Sequence, residues 1–157
     1  MPVFESTQVF PVPLEEAFRF FRDPANLVRV SPPKLHMQLV EAPHQLELGS
    51  RIVLKGRRWG IPQRVVSEVT AFLPLASFTD EQREGPFRKW VHTHRFEHVS
   101  EGTRVTDTIE YEPPGGLLGL IVPARMIESD LRWIFAFRQR KLAEVLGTVP
   151  GHEPRAD

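Results

Sequence analysis

The sequence predicts an α+β domain: a curved antiparallel sheet of about seven strands wrapped around a long C-terminal helix, with two short helices after the first strand. Period-two alternation recurs between Leu35 and Glu112 in segments joined by short gaps that carry Gly or Pro, the pattern of neighbouring antiparallel strands. A stripe of apolar residues at helical spacing then runs from Val122 to Leu146. The 157 residues fit one such domain, and a chain of this size buries roughly 70% of the surface it exposes unfolded.

Val3 to Phe10 alternates Phe4, Ser6, Gln8 and Phe10 with Val3, Glu5, Thr7 and Val9, which predicts the first strand. Pro11 and Pro13 end it, and Pro13 suits the first turn of a helix. Leu14, Ala17, Phe18 and Phe21 form a short helical stripe. Asp23 then caps a second short helix that runs through Val30 and stops at Ser31-Pro32-Pro33. Six strands follow: Leu35 to Glu41, Ser50 to Arg57, Gln63 to Phe72, Ser77 to Glu84, Arg88 to Val99 and Thr103 to Glu112. Pro113-Pro114-Gly115-Gly116 closes the meander, and Gly147 is the expected C-cap of the last helix. The domain is expected over 1–147, with 148–157 a flexible tail.

Lys plus Arg and Asp plus Glu both total 20, so no global field points to nucleic acid or a membrane. The chain has no cysteine, which excludes disulfides and thiolate chemistry. The N-terminus reads as free of a signal peptide. The longest apolar stretch, Leu117 to Ala124, falls far short of the ~20 residues that span a bilayer. A cytoplasmic location is expected.

Alternation also assigns faces. The fifth of the six later strands carries Trp90, His92, His94, Phe96 and His98 on the side expected to meet the helix. Phe78, Asp80 and Gln82 share a face, as do Val105, Asp107, Ile109 and Tyr111. The inner wall is therefore apolar with a polar group set into it, and buried polar groups need partners, a water or a ligand. Several readings stay open. The His and Asp side chains satisfy one another; or they orient a ligand in a pocket; or His92 and His94 bind a metal with Asp80 or Asp107, a reading carried only by a His-x-His spacing; or His92 or His94 works with Asp107 as an acid/base pair.

Arg138 lies in the helix stripe and can either reach a carboxylate such as Asp80 or extend to solvent. Arg51, Lys55, Arg57, Arg58 and Arg64 are expected on a solvated outer face. Trp59 is either an exposed contact residue or a core aromatic at a strand end. Gly115-Gly116 lacks the preceding strand of a phosphate loop.

The stretch Phe78-Thr79-Asp80-Glu81-Gln82-Arg83-Glu84-Gly85-Pro86-Phe87-Arg88-Lys89-Trp90-Val91-His92-Thr93-His94-Arg95-Phe96-Glu97 resembles a signature of one bacterial branch of the START-like, or SRPBCC, superfamily, the polyketide cyclase/dehydrase-like helix-grip proteins. Asn26-Leu27 before Pro32-Pro33, Gly60-Ile61-Pro62, Asp107 to Tyr111, and Ile134-Phe135 with Arg138 extend the resemblance over Val3 to Leu146. It implies a helix-grip fold and a cavity for apolar molecules such as lipids, polyketides, steroids or isoprenoid quinones. It carries over no catalytic set.

The expected function is binding of a small hydrophobic or aromatic molecule between sheet and helix. Phe78, Trp90, Phe96, Ile109, Leu131 and Ile134 would form the apolar wall. Asp80, Gln82, His92, His94, Asp107 and Arg138 would supply polar contacts. A cyclase or dehydratase using His92, His94 or Asp107, and a non-catalytic interaction module with an apolar patch near Trp59 or Gly115 to Leu120, are the alternatives. No metal and no cofactor are expected. The expected partner is a small hydrophobic ligand, with no nucleic acid and no stable membrane insertion, and a homodimer stays open.

Overall fold

The computed structural model describes residues 1–154. Seven strands form one antiparallel sheet in the order β1-β7-β6-β5-β4-β3-β2. They are β1 Val3–Phe10, β2 Gln38–Glu41, β3 Arg51–Arg58, β4 Ile61–Leu73, β5 Ser77–Glu84, β6 Lys89–Val99 and β7 Gly102–Glu112. The helices are α1 Leu14–Phe21, α2 Pro24–Arg29, α3 Gly116–Ile121 and α4 Ala124–Leu146. This is the curved antiparallel sheet with a long C-terminal helix that the alternation predicts, and the helix-grip arrangement that the resemblance implies. Among the described residues no helix is long and apolar enough to cross a membrane.

Local chemistry explains the element ends. The Asp23 carboxylate accepts a hydrogen bond from the Ala25 backbone N–H at 3.0 Å, and Pro24 takes the first turn of α2, where its missing N–H costs nothing. Gly147 stops α4 with a positive φ of 99°. The β4–β5 register shifts between Val66 and Ser67 and again between Val69 and Ala71. Such bulges bend strands and raise their twist, which curls this sheet.

The apolar interior divides into two clusters. Phe18 centres one, with Phe10, Phe78, Phe96, Leu142 and Leu146. Ile109 and Tyr111 centre the other, with Val122, Ile127, Leu131 and Phe135. Helix α4 grips the sheet through both ends of its stripe, and its middle turns span the gap between them.

Four expectations need correction. Leu35 belongs to a turn of 3-10 helix, Pro33–Leu35, because the two prolines favour that conformation and the Gly56 backbone packs against the Leu35 carbonyl; strand pairing starts at Gln38. Helix α3 fills the stretch between the Pro113–Gly116 stop and the helix expected from Val122, for which no element is predicted; Gly116 and Gly119 lower its helix propensity. It leaves Leu117 and Leu120 83% and 80% exposed, the patch an interaction module would require. His98 sits on the inward alternation but is exposed at the sheet end. The expected tail is partly packed, with Val149 buried and His152 Nε2 3.2 Å from a Glu101 carboxylate oxygen; residues 155–157 lie outside the described residues.

The β6–β7 turn yields a prediction. Gly102 has φ +144°, and a Cβ there would collide with the Phe10 carbonyl oxygen. Gly102→Ala should destabilise the fold by about 1–3 kcal/mol from backbone strain, with the clash adding to it. Urea denaturation measures this; an unchanged midpoint would contradict the close approach of the turn to β1.

Candidate functional site

Between the two clusters lies a cavity of about 230 Å³, bounded by β3 to β7, by α4 and by the segment from α1 to the 3-10 turn. Its size falls just below the roughly 300–1,000 Å³ of common ligand pockets, which limits an occupant to a small molecule. Apolar side chains dominate the wall, Ile52, Leu54, Phe78, Phe87, Ile109 and Leu131 among them.

A polar cluster interrupts this wall where β5, β6, β7 and α4 meet. On β6, His92 and His94 share a face, and their rings stack at 3.9 Å between centroids. Phe78 continues the stack on His94 at 4.4 Å. In register, His94 faces Phe78 on β5 and Asp107 on β7, while His92 faces Asp80 and Ile109. The imidazoles also reach diagonally. His94 Nε2–H donates to Asp80 Oδ2 at 3.2 Å, and His92 Nε2–H donates to Asp107 Oδ1 at 2.9 Å. His94 Nδ1 lies 3.0 Å from the same Asp107 oxygen, an ionic contact whose direction does not meet hydrogen-bond geometry. Arg138 extends from α4 to within 3.7 Å of Asp107 Oδ1, between the Phe21 and Phe135 rings.

The protonation states follow from these neighbours. Burial opposes the charged forms of Asp80, His92, His94 and Asp107. Arg138 and the two imidazoles overcome it at Asp107, whose pKa falls well below the usual carboxylate range. At Asp80 the hydrogen bond from His94 and the nearby cations also win over burial, and its pKa is lowered. Two carboxylates hold His94 charged and raise its pKa against burial. For His92, burial and the adjacent His94 charge prevail, and its pKa falls. The cluster thus carries two negative groups, Asp80 and Asp107, against two positive ones, Arg138 and His94. Because ionised Asp107 can only accept, neutral His92 carries its proton on Nε2, which leaves Nδ1 as an acceptor. That Nδ1 makes no hydrogen bond among the described residues and keeps some accessible surface.

Asp80, His92 and His94 offer ligand atoms within 4.8 Å of one another, a set that a metal ion could share. The ring stacking works against this. Metal–imidazole bonds are short, about 2.0–2.1 Å, and lie in the ring plane. Stacked rings at this separation direct their lone pairs along neighbouring planes, so both would have to turn to bind one ion.

The structure places Phe78, Asp80, Gln82, Trp90, His92, His94, Ile109, Leu131, Ile134 and Arg138 on the cavity wall. Phe96 and Asp107 are not on it. Phe96 packs into the Phe18 cluster behind Phe78, and Asp107 stands behind the imidazoles. Gln82 reaches the wall, but its amide closes the β5–β6 turn: Nε2 donates to the Phe87 carbonyl at 2.6 Å and Oε1 accepts from the Phe87 N–H at 3.4 Å. Arg138 is buried near Asp107 and does not extend to solvent.

Arg58 departs from the expected outer face. It is half-buried on the cavity wall, whereas Arg51 and Arg64 are exposed and off it; Lys55 and Arg57 are exposed but also border the cavity. The signal is available in the alternation Ile52, Leu54, Gly56, Arg58 once β3 is extended by one residue.

A family model described as polyketide cyclase / dehydrase and lipid transport matches residues 1–147. A search of curated proteins finds no match. Among solved structures, the chain is similar to TTHA0849 from Thermus thermophilus, at TM-score 0.71 and 19% identity over 92% of this chain and 97% of that one. It is also similar to CV1439 from Chromobacterium violaceum, at TM-score 0.73 and 14% identity over 95% and 100% of the two chains. Ginseng major latex-like protein 151 from Panax ginseng follows at TM-score 0.65 and 15% identity over 92% and 97%. At these identities the likeness is one of fold.

Two measurements check the electrostatics. At pH 6.5, where a free imidazole is half protonated, ¹⁵N side-chain NMR should find His94 mainly doubly protonated and His92 mainly neutral with its proton on Nε2; the reverse pattern would refute the assignment. Asp107→Asn leaves buried cations short of a counter-charge and should cost about 3–5 kcal/mol at neutral pH. A depressed carboxylate pKa stabilises above the unfolded value of 3.8 and loses its effect as pH falls through the folded value. The stability gap between wild type and variant should therefore narrow in acid, as read by urea denaturation at each pH.

Proposed function

The chain belongs to the polyketide cyclase / dehydrase and lipid transport family, and on that basis we propose that its cavity binds a small hydrophobic or aromatic molecule by one polar end. Family and fold are consistent with a hydrophobic-ligand-binding protein. The observation that carries the proposal is the wall itself: apolar on most sides, with His92, His94 and Asp80 gathered at one place. Apolar burial at about 25 cal/mol per Å² supplies the affinity. The acceptor at His92 Nδ1 supplies direction, and favours a ligand with a hydroxyl or phenol at that end.

A second reading rests on the same imidazole. A neutral His oriented by an ionised carboxylate and lining a cavity has the form of a general base. A cyclase or dehydratase would use it to remove a proton from a bound polyketide-like substrate. In that case His92→Gln abolishes turnover while ligand binding persists; turnover that survives the substitution excludes the enzyme reading.

Native mass spectrometry and a thermal-shift screen of lipids, quinones and aromatic polyketide analogues test the binding proposal. Ile134 is half-buried on the cavity side of α4. Ile134→Trp would occupy space that a ligand needs. Excluding about 60 Å² of ligand contact costs about 1.5 kcal/mol, roughly tenfold in affinity. The variant should fold, and its ligand-induced shift should shrink accordingly. An equal shift in wild type and variant would place the ligand elsewhere.

A further inference from the structure

The cavity has a second polar position, away from the imidazoles and built on a strained turn. Arg58 ends β3 and Ile61 begins β4, so Trp59 and Gly60 form a two-residue hairpin. Both have positive φ, 54° and 74°, as a type I′ turn requires. Gly adopts this conformation readily, whereas a bulky tryptophan does so only at a cost. The turn sets the Trp59 ring 4.8 Å from the Arg58 guanidinium carbon. Phe87 and Trp90 pack on the same guanidinium at 5.3 and 5.9 Å. Asp130 on α4 fixes it from one side, accepting from Nε at 2.9 Å.

The guanidinium is therefore held rigidly by three aromatic rings and one carboxylate, yet it is not satisfied. Arg58 Nη2 and the neighbouring Trp59 Nε1 are enclosed without a hydrogen-bond partner among the described residues, and Arg58 Nη1, which also lacks one, keeps accessible surface on a guanidinium that lines the cavity. Buried donors without partners are rare in folded proteins, and those on a charged group are the most costly. A surface ion pair with Asp130 would need neither the aromatic enclosure nor the strained turn.

We propose that Arg58 is a recognition site for an acceptor oxygen, a carboxylate or a carbonyl, on the cavity's ligand. The inference rests on the ligand-binding reading above and narrows it. The ligand is an apolar or aromatic carbonyl compound whose oxygen meets Arg58, while a hydroxyl elsewhere on it can meet His92. A guanidinium presents its donors in a rigid fork, which suits such an oxygen better than a lone hydroxyl.

Three compounds of one shape test this: 2-naphthoic acid, methyl 2-naphthyl ketone and 2-methylnaphthalene, titrated into the wild-type protein by calorimetry. The oxygen-bearing compounds should bind about 10- to 100-fold more tightly than the hydrocarbon, the range expected for a hydrogen bond to a charged group. A preference for the acid over the ketone identifies a carboxylate ligand, and the opposite order a neutral carbonyl; either supports the site. Arg58→Met should remove the preference and leave hydrocarbon binding intact. Arg58→Lys, which keeps the charge and loses the fork, guards against misfolding of the Met variant and should retain only part of the preference. Equal affinity of all three compounds for wild type overturns the Arg58 site and leaves the cavity reading standing. Binding of none of them overturns both. A preference that persists in Arg58→Met assigns the oxygen to other donors and also overturns it.

Discussion

The interior depends on one buried balance of charge. Asp80, His94, Asp107 and Arg138 tie β5, β6, β7 and α4 together where the apolar clusters part. Each member alone would oppose burial. Together they are neutral, and each carboxylate lies beside a cation. Arg138 and Asp107 stand at the middle of α4, between the two apolar clusters that its ends join. The cavity and the network are thus two aspects of the same geometry.

His92 shows how that balance creates chemistry. Its neighbour on the strand holds the positive charge, so His92 stays neutral. The Asp107 carboxylate then fixes the tautomer. A weak acceptor is left beside an apolar space, where it has few competitors from solvent. The ring nitrogens of two identical residue types, two positions apart, therefore acquire opposite roles from their carboxylate partners.

Much of this is legible in the sequence. Strict alternation through Trp90, His92 and His94 tells which side chains face the helix, and the Phe78–Asp80 pair on β5 follows from the same rule. Alternation gives a face but not a depth. It does not separate Phe78, which belongs to the Phe18 cluster and also lines the cavity, from Phe96, which belongs to that cluster and does not reach the cavity. Nor does it show Asp107 lying behind the imidazoles, because that depends on the side-chain conformations of His92 and His94 on the neighbouring strand. Arg58 is hidden for a different reason: a run of basic residues obscures a one-residue extension of β3. Helix α3 is illegible because its glycines and the flanking prolines read as loop.

The pairing of β1 with β7 has a consequence for how the molecule assembles. Thr7 meets Thr106 across a separation of 99 residues, so the first strand lacks its mate until the last one is available. Contacts of that span form slowly, since a long loop must close before they reward it. During synthesis β1 would leave the ribosome well before β7, with Phe4 and Phe10 lacking their eventual cover. The nascent chain is then most vulnerable to association with other chains at β1, and α1 and α2, which are local and quick to form, are the structures available to shield it.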